Sequence, residues 1–160
     1  AAVRSRIPAI DPVIVSFLEE AIRCLSGGAL LGASFMAGAA SEKAALILIE
    51  SFGSAIADPG NRQKFEQETS NRFISRKWDR FLQSFKSTKV RPTGPTAQDL
   101  ETMLDNMFSH CRVTRNAIGH PVAVPSLDKA AVMTILAFFP EYLARIYELV
   151  EFYKSNPVVL

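Results

Sequence analysis

The chain has 160 residues, of which 48% are hydrophobic and 21% are charged, and its net charge is +2. This composition excludes a disordered chain, and the small net charge gives no indication of nucleic-acid binding by itself. Two cysteines, Cys24 and Cys111, fit no paired spacing, which excludes a disulfide-rich secreted fold and favours free thiols in a reducing compartment. At this length we expect one domain spanning residues 1–160, with its core at about residues 12–153.

The longest uncharged run, residues 25–41, is rich in glycine and alanine and is shorter than a membrane span. The first residues show no signal-peptide pattern. We therefore expect a soluble, cytoplasmic protein without a membrane partner.

Strand patterns are nearly absent, and apolar residues recur at helical spacing along most of the chain. The first helix is expected to begin at Asp11, with Pro12 at its first helical position, and to end at residues 26–28. The second is expected over residues 29–57. Its small residues allow a neighbouring helix to approach closely, and its later apolar residues indicate a buried helix.

The third helix is expected over residues 62–87, followed by a loop over residues 88–95. A capping box at residues 96–99 starts the fourth helix, which extends to about Gly119. Ser126 is expected to cap the last helix, which extends to about Tyr153 with a kink near Pro140. The sequence thus predicts an all-α fold, an antiparallel bundle of four to five helices.

The segment Arg115-Asn116-Ala117-Ile118-Gly119-His120 combines a permanent cation, an amide and an imidazole at the end of the fourth helix. On ideal helical geometry, Asn116 and His120 point about 160° away from the helix's own apolar stripe. The stem of Arg115 is expected at the edge of the core, where its head can reach the same rim. A cation beside a group that titrates near neutral pH suits chemistry on a phosphodiester.

Residues 62–91 contain nine lysines and arginines against three carboxylates, a local charge of +6. We hypothesise that the basic residues of the third helix contact an RNA backbone, which would make the affinity depend on salt. The hypothesis concerns Arg72, Arg76, Lys77 and Arg80, with Arg112 added from the fourth helix. The alternative is a solvated basic face whose interleaved aromatic residues belong to the core.

Other chemistries have weaker support. The spacing of Cys24, His110, Cys111 and His120 matches no zinc signature, and Cys111 falls on a predicted core stripe, so no metal is expected. Phosphate-loop, nucleophile-elbow and dinucleotide-binding motifs are absent from the sequence, and no cofactor is predicted. Glu42, in a very apolar helix, needs a partner if it is buried, and Arg115 is the candidate.

The pattern Arg115-Asn116-x-x-x-His120 resembles the signature of the HEPN superfamily, in its Arg-Asn-x-x-x-His form. The ending Gly119-His120-Pro121 is similar to one subset of that superfamily. A glycine- and alanine-rich helix with an acidic residue, Glu42, precedes the signature helix, and a loop and a long helix follow it. The resemblance covers most of the chain, about residues 12–153.

The resemblance implies an all-α bundle that dimerises with two signature helices facing each other, and a ribonuclease that needs no metal. It further implies that Arg115 and His120 carry the activity, that Asn116 supports them, and that Glu42 orients Arg115. Implied partners are a second copy of the chain, RNA, and an antitoxin or nucleotidyltransferase protein. The alternative is a dimeric module that binds RNA, a nucleotide or a partner protein without cleavage, since some relatives have lost catalysis.

The chemistry of these residues is consistent with RNA cleavage without the resemblance. RNA carries its own nucleophile, the 2′-hydroxyl, and an imidazole can remove its proton or protonate the leaving 5′-oxygen, each effect being worth about 10²–10⁴-fold. A guanidinium can bind two phosphoryl oxygens and stabilise the charge that develops there. The expected products end in a 2′,3′-cyclic phosphate.

Overall fold

The computed structural model describes residues 2–70, 73–93, 97–119 and 126–160. These residues form seven α-helices and no β-strand, which confirms the all-α class. The helices are α1 (Ala2–Arg6), α2 (Pro12–Ser26), α3 (Leu30–Ala55), α4 (Pro59–Thr69), α5 (Ile74–Ser87), α6 (Ala97–Gly119) and α7 (Lys129–Ser155).

Two helices begin at an Asp-Pro pair. The start of α2 at Asp11 and Pro12 is as predicted, whereas α4 begins at Pro59 and not at residue 62 as expected. The Asp11 carboxylate accepts the backbone N–H of Val13 at 2.7 Å, with Pro12 as the first residue of α2. Asp58 accepts the backbone N–H of Asn61 in the same way at the start of α4. Each cap satisfies a backbone donor that has no partner within the helix, worth about 1 kcal/mol.

The expected start of the last helix at Ser126 is wrong. The carboxylate of Asp128 accepts the backbone N–H of Ala131 at 3.2 Å, and α7 begins at Lys129. Asp and Ser are equally good capping residues, so local preference alone does not choose between positions 126 and 128. The helix continues through Pro140, where the sequence predicts a kink. Thr96, the expected cap of α6, lies outside the described residues.

The predicted helix over residues 62–87 is two helices, α4 and α5. The backbone N–H of Ser70 bonds to the Gln67 carbonyl at 3.3 Å, and the Ser70 hydroxyl donates to the same carbonyl at 2.7 Å. Serine side chains compete in this way with helical backbone bonds, which explains the end of α4 at Thr69. α5 then presents a strongly amphipathic surface that buries Trp78, Phe81 and Phe85.

The chain forms two compact units. Unit 1 comprises residues 1–44 and 103–144, and unit 2 comprises residues 45–102 and 145–160. The core of unit 1 is made by apolar residues of α2, α3, α6 and α7 with under a tenth of their surface exposed, including Ile14, Leu18, Ala37, Ala40, Leu104, Phe108, Phe139 and Leu143.

Unit 2 is built around aromatic rings. Phe52 contacts the rings of Phe65, Phe81 and Tyr153 at centroid distances of 5.1–5.5 Å, and two of these contacts are edge-to-face. Such pairs add about 0.5–1.5 kcal/mol each beyond the burial of their surface. The segment after α7 packs against the end of α3, where Val158 and Ile56 form an isolated parallel bridge and are fully buried.

Two helices, Leu30–Ala55 and Lys129–Ser155, are long and apolar enough to cross a membrane by length and composition alone. The core helix of a soluble protein meets the same criterion. A cytoplasmic location without a membrane partner thus stays a prediction from the sequence.

Candidate functional site

The signature helix α6 packs closely against α3 at Gly38. A Cβ atom at Gly38 would lie 2.7 Å from the Cβ of Arg115 and 3.1 Å from the backbone oxygen of Cys111. No side chain fits in that space, so only glycine permits this approach. The expectation that small residues of this helix admit a close neighbour is confirmed at Gly38, and the approach places the start of the Arg115 side chain directly on α3.

Three groups surround the Arg115 side chain. Its Nη1 donates to the Glu42 carboxylate at 3.0 Å, and its guanidinium carbon lies 5.4 Å from the centre of the Phe35 ring. The Glu42 side chain is 15% exposed and that of Arg115 is 33% exposed. Phe35, Gly38 and Glu42 follow one another at spacings of three and four, and so they share one face of α3. The Glu42–Arg115 pair predicted from the sequence is therefore present, and it fixes the direction of the guanidinium.

Only part of the guanidinium is used by these contacts. The Nε atom is buried and has no hydrogen-bond partner among the described residues. Nη2 likewise makes no hydrogen bond to the described part of the chain. Because a guanidinium has five N–H donors, Arg115 keeps donors for an incoming oxyanion while Nη1 stays on Glu42.

Burial and charge act in opposite directions on Glu42. Burial raises the pKa of the Glu42 carboxyl above its ordinary value, and the nearby cations Arg115 and Arg112 partly offset that rise. Loss of hydration therefore outweighs the attraction of two arginines for this group. With both arginines charged and Glu42 ionised, these three residues carry a net charge of +1, which favours a bound anion.

A buried hydrogen-bond network lies beside this pair. The Ser41 and Tyr142 hydroxyls are 3.1 Å apart, and Ser41 is near enough to the thiol of Cys111 to lower its pKa in part. Burial raises the pKa of the Cys111 thiol to about 11, and it raises the pKa of Tyr142 as well. Both groups therefore stay neutral near pH 7. They join α3, α6 and α7 next to Glu42, which Ser41 precedes in the chain.

The remaining signature residues are only partly described. Asn116 and Arg112 are half-buried on α6, and both lie within unit 1 with Arg115. His120, the predicted proton-transfer group, lies outside the described residues; it directly follows Gly119, the last residue of α6. His110, the other histidine, is exposed on α6. The core side of α6 there is occupied by Phe108 and Cys111.

The third-helix residues that the sequence predicts to bind RNA belong to unit 2, and they differ in exposure and in the contacts they make. Arg80 pairs with Glu68 and donates to Gln83 at 3.0 Å, so its charge is largely committed within the unit. Arg76 is exposed and stacks 5.7 Å from the Phe73 ring centre, and Lys77 is half-buried. Arg72 lies outside the described residues. The alternative of a basic face over aromatic core residues agrees with the burial of Trp78 and Phe81.

Sequence reasoning missed Phe35 and the Ser41 network. The spacing of Phe35, Gly38 and Glu42 is a signal for one helix face, but it does not indicate which helix covers that face. Among the described residues, no group of three or more histidine, cysteine or carboxylate side chains is arranged to hold a metal ion.

Comparison with known proteins identifies no relative. No protein-family model, curated protein or solved structure matches the chain. The HEPN resemblance therefore stays a prediction from the sequence, and the function has to be argued from the side chains of α3 and α6.

Proposed function

We propose that this protein is a metal-independent endoribonuclease of the HEPN type, in which Arg115 and His120 act on the scissile phosphate. The observation that carries the proposal is the geometry of Arg115. The guanidinium is held by Glu42 at 3.0 Å and by the Phe35 ring, and it lies five residues in sequence before His120, the signature residue that can exchange protons. A pre-oriented arginine loses little entropy when it binds a phosphate, which is what stabilisation of a transition state requires.

In the proposed mechanism the donors of Arg115 that are not used by Glu42 bind the non-bridging phosphate oxygens. The 2′-hydroxyl attacks the adjacent phosphorus, the bond to the 5′-oxygen breaks, and a 2′,3′-cyclic phosphate remains on the first fragment. His120 transfers one of the two protons. A second His120, from another copy of the chain in a homodimer, supplies the other proton transfer. Asn116, half-buried one residue after Arg115, supports the phosphate or the imidazole.

The biological setting follows the resemblance and is part of the same proposal. Enzymes of this type act in toxin–antitoxin or defence systems in the cytoplasm, and an antitoxin or a nucleotidyltransferase protein would be the partner. An all-α unit with its arginine at the surface of α6 is compatible with such a role.

A second candidate function is a non-catalytic dimeric module that binds RNA, a nucleotide or a partner protein. The exposed face of α6 favours it, because Val113 is 57% exposed and Ala117 is also exposed. Two exposed apolar side chains one turn apart suit contact with another protein surface. Glu42 and Arg115 would then serve to bind an anion without cleavage.

RNA incubation with EDTA distinguishes the two functions. The parent protein should cleave a mixed-sequence RNA and leave 2′,3′-cyclic phosphate ends, and folded Arg115→Ala and His120→Ala variants should not. His110→Ala is the matched control, because it removes the other histidine from an exposed position on the same helix. Loss of cleavage in the control as well, or products with 3′-hydroxyl ends, would contradict the mechanism. A stable dimer that binds RNA but does not cut it would favour the binding module.

A further inference from the structure

Unit 2 contains a cleft of about 530 Å³ at the junction of α3, α4 and the C-terminal segment. A volume of this size falls in the range of small-molecule sites, about 300–1,000 Å³. Its polar lining combines two cations with serine hydroxyls, and its walls are small apolar residues. The lining residues are Ser51, Ser54, Ala55, Ala57, Arg62, Tyr153, Lys154, Ser155 and Pro157.

Arg62 is pre-oriented in this cleft. Its Nε and Nη2 both donate to the backbone carbonyl of Ile56, at 3.0 and 2.7 Å, so the plane of the guanidinium is fixed. The Nη1 group has no partner among the described residues and is left to face the cleft or solvent. A fixed guanidinium with a free edge is suited to bind an oxyanion.

Lys154 supplies the second cation from α7. It pairs with Glu151 three residues earlier at 2.6 Å, and both side chains are more than half exposed. An exposed pair of this kind is weak, so a bound anion can replace Glu151 at little cost. Among the described residues, no carboxylate side chain lines the cleft itself.

The ends of two helices lie at the cleft, and the negative end of a helix opposes anion binding. Here the carbonyls at those ends already accept hydrogen bonds. The Ala55 carbonyl accepts the backbone N–H of Val158 at 2.8 Å, and the Phe152 carbonyl accepts the side-chain amide of Asn156 at 2.7 Å. Together with the Arg62 bonds to Ile56, these contacts give partners to three of the carbonyls at the two helix ends, which reduces their opposition to an anion.

We propose that this cleft binds a small phosphate-bearing molecule, with its phosphate between Arg62 and Lys154 and its hydroxyl-rich portion along Ser54 and Ser155. The site lies wholly within unit 2 and does not depend on the ribonuclease proposal. The C-terminal segment lines the open cleft at Ser155 and Pro157, and its volume of about 530 Å³ suits a compact ligand.

An NMR titration of the full chain with inorganic phosphate, against chloride at equal ionic strength, tests the proposal. Phosphate should shift the backbone amide signals of Ser54, Arg62 and Ser155, and Lys154→Gln should weaken its affinity by about tenfold. Lys89→Gln removes the same charge from an exposed position of the same unit outside the cleft, and it should leave the affinity unchanged.

Two results would overturn the proposal. One is equal loss of affinity in the Lys154→Gln and Lys89→Gln variants, which would show binding to the general surface charge. The other is displacement of phosphate from these residues by a short single-stranded RNA, which would assign the cleft to RNA phosphates. Arg62 also donates to the Ile56 carbonyl at the end of α3, so Arg62→Gln can lose stability as well as phosphate binding. Thermal unfolding of Arg62→Gln shows whether that variant is still folded. Lys154→Gln tests the site without this complication.

Discussion

Gly38 of α3 lies so close to Arg115 of α6 that an added Cβ would be 2.7 Å from the Arg115 Cβ. This contact connects the packing of two helices to the position of the proposed phosphate-binding residue. Any side chain at position 38 has to push α6 away, because the atoms it meets include the backbone oxygen of Cys111.

Gly38→Ala is therefore expected to lower the free energy of unfolding by about 1–3 kcal/mol through overpacking. It should also reduce RNA cleavage, since Arg115 moves with α6. Urea unfolding and the cleavage assay measure the two effects. Gly119→Ala is the control for stability, because a Cβ there meets no atom within 4 Å and the helix loses nothing. Equal stability of the two variants would contradict the close packing.

Glu42 should make stability depend on pH. Burial raises the pKa of its carboxyl in the folded protein, so the folded state holds this proton more tightly than the unfolded chain does. The stabilising contribution is complete below the ordinary pKa of the unfolded chain and is lost as the pH rises through the raised pKa of the folded state. As the pH rises between these two pKa values, the free energy of unfolding of the parent should fall relative to that of Glu42→Gln. Above the raised pKa the difference between the two proteins should stay constant.

Urea unfolding of the parent and Glu42→Gln, between about pH 4 and pH 8, measures this difference. Glu50→Gln is the control, because it removes an exposed carboxylate from the same helix. A gain in the stability of the parent relative to Glu42→Gln as the pH rises would mean that the ion pair with Arg115 outweighs burial. The predicted direction of the pH dependence of stability would then be wrong.

If the chain binds RNA as proposed, we expect the basic surface of α5 to contribute through Arg76 and not through Arg80. Arg76→Glu should weaken RNA binding and reduce its salt dependence without changing the fold, because Arg76 is exposed. Arg80→Glu should instead lower stability, since it places two carboxylates together at Glu68. Fluorescence anisotropy over a salt series measures binding. Lys64→Glu, an exposed change on α4, controls for net charge, and an equal effect there would remove α5 from the RNA surface.

The two cysteines should differ in reactivity. Cys111 is buried with its thiol pKa raised to about 11, and Cys24 is partly exposed. Since the thiolate is the reactive form, iodoacetamide at about pH 8 should modify Cys24 quickly and Cys111 only after unfolding. Mass spectrometry of the labelled protein, before and after urea, measures the order. Fast labelling of Cys111 in the folded protein would contradict the buried position between α3 and α6.

The sequence by itself determined the all-helical class, the start of α2, and the partner of Glu42. The start of α2 follows from neighbouring residues, because Asp11 caps the helix and Pro12 suits its first position. Glu42 could be paired with Arg115 because a carboxylate in so apolar a helix requires a cation.

Only the tertiary structure decided the stacking of Phe35 on Arg115, the pairing of Arg80 with Glu68, and the cleft at Arg62. Periodicity identifies which residues of a helix are buried, but the partner that buries them is set by packing between segments that are remote in the chain. Arg76 and Arg80 have the same charge and lie one turn apart. They differ because Glu68, on another helix, reaches only Arg80.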